Sequence, residues 1–87
     1  MNILQVIRKL AADGDYEVTS HCLLEMDKDS ISLEQIEDII LYGKIAKRNP
    51  RQDRYTFKWK TIMCCIEILR NGNDFYMTVI TAGRERM

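Results

Sequence analysis

Between positions 44 and 60 the sequence interleaves Lys44, Lys47, Arg48, Arg51, Arg54, Lys58 and Lys60 with Tyr55, Phe57 and Trp59. Cations that meet phosphates, beside rings that stack on unpaired bases, are the residue types that hold single-stranded RNA. On an extended strand Arg54, Lys58 and Lys60 project from one face with a repeat of about 6.5 to 7 Å, close to the spacing of successive phosphates. Arg48 and Arg51 extend that row through the preceding turn, and Arg84 and Arg86 add charge at the end of the chain. The competing reading is a solvated sheet face whose charges need no ligand. The aromatic trio is first of all core, because a small domain needs the area that three rings bury.

Metal-independent cleavage of RNA demands more than grip. One group must take the proton from the ribose 2′-OH, another must protonate the leaving 5′-oxygen, and cations must stabilise the phosphorane between them. The single histidine, His21, lies in the first turn of an expected helix, where backbone N–H groups welcome a phosphate. A histidine beside Cys22 and Leu23 also suits a packed structural role. Tyr55, next to Arg54, is the other candidate for moving protons. Glu37 with Asp38, and Glu25 with Asp27 and Asp29, diverge around their helices and form solvated faces rather than a Mg²⁺ site. Cys22, Cys64 and Cys65 have no zinc-ligand spacing, and Cys64 and Cys65 would point to opposite faces of a strand. No metal or other cofactor is implied.

These residues sit in a chain of two electrostatic halves. Positions 1–43 carry 3 basic and 9 acidic side chains, net −6, and positions 44–87 carry 10 and 4, net +6. Such asymmetry points to a polyanion or to a partner held on one face. Eighty-seven residues make one domain, and 46% hydrophobic with 30% charged residues is the composition of an ordinary globule. No apolar run reaches the roughly 20 residues that span a bilayer, and the first residues lack a signal-peptide pattern, so the expected location is cytoplasmic, away from membranes.

The halves also differ in period. Ile3, Leu4, Ile7, Leu10 and Ala11 recur at helical spacing before Asp13-Gly14-Asp15 stops the helix. Tyr16-Glu17-Val18 is a short extended piece, and Thr19 or Ser20 caps a second helix through His21 and Met26 that breaks at residues 27–30. A third helix is announced by Ser32 and Gln35 at capping-box spacing, by an Ile31–Ile36 staple and by a stripe of Ile36, Ile39 and Ile40, with Gly43 suited to a left-handed stop. Beyond it the period becomes two. Lys44 to Arg48 reads as an edge strand, Arg54 to Lys60 as a strand with one aromatic and one basic face, and Ile62 to Leu69 as a central strand covered on both sides. Asn71-Gly72 turns the chain into a last antiparallel strand, Phe75 to Thr81. The expectation is a single α+β domain, with a helical layer over about 1–43 packed on a mostly antiparallel four-stranded sheet over about 44–83.

In order along the chain, Thr19-Ser20-His21, Ile31-Ser32-Leu33-Glu34-Gln35-Ile36-Glu37-Asp38-Ile39, Gly43-Lys44-Ile45, Asp53-Arg54-Tyr55 and Val79-Ile80-Thr81 resemble a family of small bacterial domains. That family shows Ser-x-His, then Arg-Gly-Ile-[Ser/Thr], then Gly-x-Ile and a closing Ile-Val-Thr strand, over a span equivalent to residues 16–83. It is encoded beside YgiT-type zinc-finger antitoxins and is similar to the RelE, BrnT and MqsR toxins. The resemblance implies a RelE/BrnT-like fold and the toxin of a type II toxin–antitoxin pair. It implies a metal-independent endoribonuclease that cuts mRNA, alone or on the ribosome, and is silenced by its cognate antitoxin. It matches His21 to the family histidine, Arg54 and Tyr55 to the polar start of the second strand and Thr81 to the last-strand threonine, and His21, Arg54 and Tyr55 are the catalytic candidates. The chain departs from the pattern where relatives carry arginines, having Glu25, Asp27, Asp29 and Ser30 instead, so the helical side of any cleft is acidic. The alternative expectation is a non-catalytic module that binds RNA or a protein partner.

Overall fold

A computed structural model describes residues 2–85. Its elements run α1 (Ile3–Ala12), β1 (Glu17–Val18), α2 (Ser20–Asp29), α3 (Leu33–Tyr42), β2 (Lys44–Asn49), a 3₁₀ turn (Pro50–Gln52), β3 (Arg54–Trp59), β4 (Ile62–Asn71) and β5 (Asp74–Arg84). The class is α+β, but the sheet has five strands in the order β1-β5-β4-β3-β2, and it is mixed rather than four-stranded. The added strand is the Glu17–Val18 piece, which pairs in parallel with Thr78 and Val79. Two residues show no period of their own, and this strand exists because β5 offers an open edge.

Local signals account for the helices. α1 begins with a capping box in which Asn2 accepts from the Gln5 N–H and the Gln5 side chain accepts from the Asn2 N–H. α3 has the expected box between Ser32 and Gln35, with Ile31 and Ile36 both buried. Thr19 caps α2 by accepting from the Cys22 N–H, and its own N–H donates to Val79, which ties the helix start to β5. α2 continues to Asp29, past the expected break. It closes as a Schellman turn, with the Ile31 N–H donating to Met26 and Ser30 left-handed at φ 55°. α3 ends differently from expectation. Gly43 is extended, not left-handed, at φ −79° and ψ −179°. Glycine is needed there for closeness: a Cβ would stand 2.3 Å from the Ile39 carbonyl oxygen and 2.6 Å from that of Lys58. Arg8 of α1 completes this junction by donating to the carbonyls of Ile40 and Gly43 at 3.1 Å each. A cation is thereby set against the negative end of α3.

The core lies between the helices and one face of the sheet. Ile7, Cys22, Ile36, Ile39 and Ile40 meet Phe57, Cys64, Ile66 and Val79, all fully enclosed, with Tyr55, Met77 and Ala82 beside them. β3 alternates as expected, its aromatics inward and Arg54, Thr56 and Lys58 outward. β4 is covered on one face only: Met63 and Leu69 are exposed and Cys65 is half-buried, although the strand reads as nearly continuous apolar sequence. The hairpin after it is a two-residue loop, Gly72-Asn73 between the paired Asn71 and Asp74, with Gly72 at φ +66°. β2 is an edge strand carrying a bulge at Ala46, where the register with β3 shifts. No helix among the described residues is long and apolar enough to cross a membrane.

Two substitutions test this description. Gly43→Ala forces a Cβ into two backbone carbonyls and should destabilise the domain by about 2 kcal/mol, read as a lower urea midpoint at unchanged slope. Ser30→Gly should act in the opposite sense, raising the midpoint by the equivalent of about 0.5 to 1 kcal/mol, because glycine tolerates the left-handed cap.

Candidate nucleic-acid interface

With all helices on the aromatic side of β3, the other face of the sheet is left open, and the registers order its side chains into rows. Lys44 and Lys58 stand beside Met63; Lys47 and Thr56 lead to Cys65 and Thr81; Asn49 and Arg54 lead to Glu67 and Thr78. The cations therefore gather towards β2 and β3. Between them is a hollow of about 160 Å³ lined by Lys47, Asn49, Gln52, Arg54, Thr56 and Cys65. Its rim offers two cationic side chains, a hydroxyl and two carboxamides, the Asn49 amide donating to Gln52 at 3.1 Å. That donor set matches a phosphate oxygen cluster.

The surrounding electrostatics are mixed. Arg54 lies 3.5 Å from Glu67 on the paired strand, and Lys58 is paired with Glu85. Both contacts are exposed enough that a competing anion can displace them at small cost. Lys44, Lys47, Arg48 and Arg51 have no ion pair within 4.0 Å among the described residues. Lys47, absent from the expected row of strand cations, therefore joins Arg54 as the less encumbered of the two charges at the hollow.

Not every sequence candidate arrives here. Lys60 lies beyond the strand, in the turn before β4 at φ 57°, with its ammonium 4.3 Å from the Trp59 ring centroid. Arg48 pairs with Tyr55 and so belongs to the helical side of the edge, because the Ala46 bulge shifts the alternation of β2. Arg51 is exposed in the 3₁₀ turn near the rim. Arg84 is tied to the end of α2, its N–H donating to the Asp29 carboxylate at 3.0 Å and its Nε to the Asp29 carbonyl at 3.3 Å. Arg86 lies outside the described residues.

The three catalytic candidates are not brought together. Arg54 is on the open face, whereas Tyr55 is buried among the core residues on the opposite face. His21 is on α2, exposed, with Nε2 3.2 Å from Glu25 Oε1. Thr81, the last-strand position, does reach the open face, opposite Cys65. Among the described residues Glu25 Oε1, which His21 faces at 3.2 Å, is buried and accepts no hydrogen bond. No group of three or more metal-ligating side chains occurs among the described residues.

Three protons are held firmly on the helical side. Burial, reinforced by donation to the Glu37 carboxylate, pushes the Tyr16 phenol well above its ordinary range. Burial also raises the Cys22 thiol to about 11, with Glu25 adding to the effect. The Cys64 thiol is pushed up chiefly by burial. None is a nucleophile at neutral pH.

A family model described as a domain of unknown function (DUF4258) matches residues 18–84. No curated protein and no solved structure matches the chain.

The placement of the thiols yields a direct check of which face is open. Of Cys22, Cys64 and Cys65, a bulky thiol reagent at pH 8 should modify Cys65 first, with the other two reacting only on unfolding, as mapped by peptide mass. Equal labelling of Cys64 would mean that the helical layer is not closed.

Proposed function

We propose, for a chain that belongs to the DUF4258 family, that the open face of its sheet binds the phosphate backbone of single-stranded RNA. The observation that carries this reading is the hollow on that face, where Lys47 and Arg54 converge with the amides of Asn49 and Gln52 and the hydroxyl of Thr56. Lys44 and Lys58, one row along, extend the positive surface in the direction of the strands. The row repeat of about 7 Å along a strand is close to the spacing of successive phosphates on a nucleic-acid strand, and a flexible single strand can follow the open face where a stiff duplex cannot.

The resemblance to type II toxins supplies the role this binding would serve: a toxin that engages mRNA, alone or on the ribosome, and is held in check by a cognate antitoxin. Its RelE/BrnT-like character rests on that same resemblance. Cleavage requires a proton acceptor and a proton donor within reach of the gripped phosphate. With His21 on the helical side and Tyr55 in the core, the geometry favours binding ahead of cleavage. If cleavage does occur, Arg54 and Lys47 are the groups placed to stabilise the phosphorane.

The test is binding of a defined 12-nucleotide single-stranded RNA across a salt series, with the same protein incubated with mRNA in EDTA to read cleavage. Affinity should fall steeply with salt, and Lys47→Ala or Arg54→Ala should each weaken binding and flatten the log–log slope by about 0.7. Binding that is absent at low salt, or indifferent to both substitutions, would overturn the proposal. New RNA ends that vanish in Arg54→Ala would add cleavage to it.

A further inference from the structure

The open face is polarised across its strands. Cations occupy the β2–β3 side, while the β5–β1 side carries Tyr76, Thr78 and Glu17, with Glu67 between the two. Tyr76 pairs with Leu69 across the strands, and both are half exposed, at 56% and 49%. Single exposed apolar side chains occur elsewhere on the domain and need no ligand, but here two lie side by side on the open face. Tyr76 also borders a hollow of about 380 Å³ whose lining includes Gly14, Asp15 and Glu17. The carboxylates of Asp15 and Glu17 repel phosphate and accept from the amino and imino groups of bases. One side of the face is thus suited to phosphate, and the other to a base.

We infer that Tyr76 is a base-stacking residue: an unpaired RNA base lies on its ring, seated beside Leu69, while the strand's phosphates are held at Lys47 and Arg54. Two strand spacings and one row separate Tyr76 from Arg54, about 12 Å between their backbones, which one or two nucleotides of an unstacked strand can span. This inference rests on the RNA-binding reading and adds to it the contact that distinguishes RNA from a bare polyanion. The aromatic residues of β3 cannot supply that contact, since Tyr55 and Phe57 are enclosed and Trp59 lies against the core under Lys60.

The experiment compares wild type, Tyr76→Phe and Tyr76→Leu against two probes, the 12-nucleotide RNA and an inorganic polyphosphate of similar charge. Tyr76→Leu keeps an apolar strand residue beside Leu69 while removing the ring, and Tyr76→Phe keeps the ring while removing the hydroxyl. Urea midpoints confirm that both variants are folded. Tyr76→Leu should weaken RNA binding roughly tenfold without altering its salt slope, Tyr76→Phe should bind within about twofold of wild type, and polyphosphate binding should be unchanged in both. RNA binding that is salt-dependent yet unchanged in Tyr76→Leu would overturn the stacking contact and leave the phosphate reading standing. A loss in Tyr76→Phe as large as in Tyr76→Leu would assign the effect to the hydroxyl and overturn stacking as well. No RNA binding by wild type would overturn both readings together.

Discussion

Everything in this domain follows from the enclosure of one face of one sheet. β3 alternates large rings with polar side chains, so only one of its faces can be removed from water, and Phe57 is completely so. Each buried ring or branched side chain contributes roughly 1.5 to 3 kcal/mol, and the helices supply a matching apolar surface. They therefore gather on that side, and the opposite face keeps its cations in solvent. The cations of β2 and β3 on that face, Lys44, Lys47, Arg54 and Lys58, are thereby divided by the core from the acidic side chains of α2 and α3.

The helical layer is joined to the sheet at a point where side chains are absent. Gly43 lets the end of α3 approach the β3 backbone more closely than any Cβ permits, and Arg8 reaches from α1 to satisfy carbonyls there. Since the family match begins at residue 18, α1 lies outside it, yet α1 contributes Val6, Ile7 and Ala11 to the core as well as this arginine. The matched region draws its packing and its α3 cap from the segment that precedes it.

What could be read beforehand was local and periodic. The Ser32–Gln35 box, the isoleucine stripe of α3, the alternation of β3 and the hairpin at Gly72, whose loop is Gly72-Asn73 rather than Asn71-Gly72, each contain their signal within a few residues. What could not be read depended on distant partners or on single-residue irregularities. β1 is two residues long and exists only through β5; the bulge at Ala46 carries Arg48 off the face that Lys47 occupies; Lys60 leaves the strand one residue earlier than its alternation suggests. The same limits shaped the candidate site. Arg54 was legible because it opens a regular strand. Its separation from His21 and Tyr55 was partly legible too, since adjacent strand residues face opposite ways, but the placement of α2 needed the tertiary structure. Tyr76 carried a usable signal in its alternation with Phe75 and Met77, which marks it as outward.

Strand β2 has a second consequence, concerning how copies of the chain behave towards each other. It is the longer of the two sheet edges, and an unpaired edge is a template for aggregation by strand addition. Lys44, Lys47 and Arg48 place like charges where a second copy would have to dock, and the Ala46 bulge breaks the flat register that such docking requires. Lys44 and Lys47, which belong to the surface proposed to meet phosphate, thus also guard this edge against strand addition. Neutralising them would leave the longer edge of the sheet with less protection against pairing with another chain.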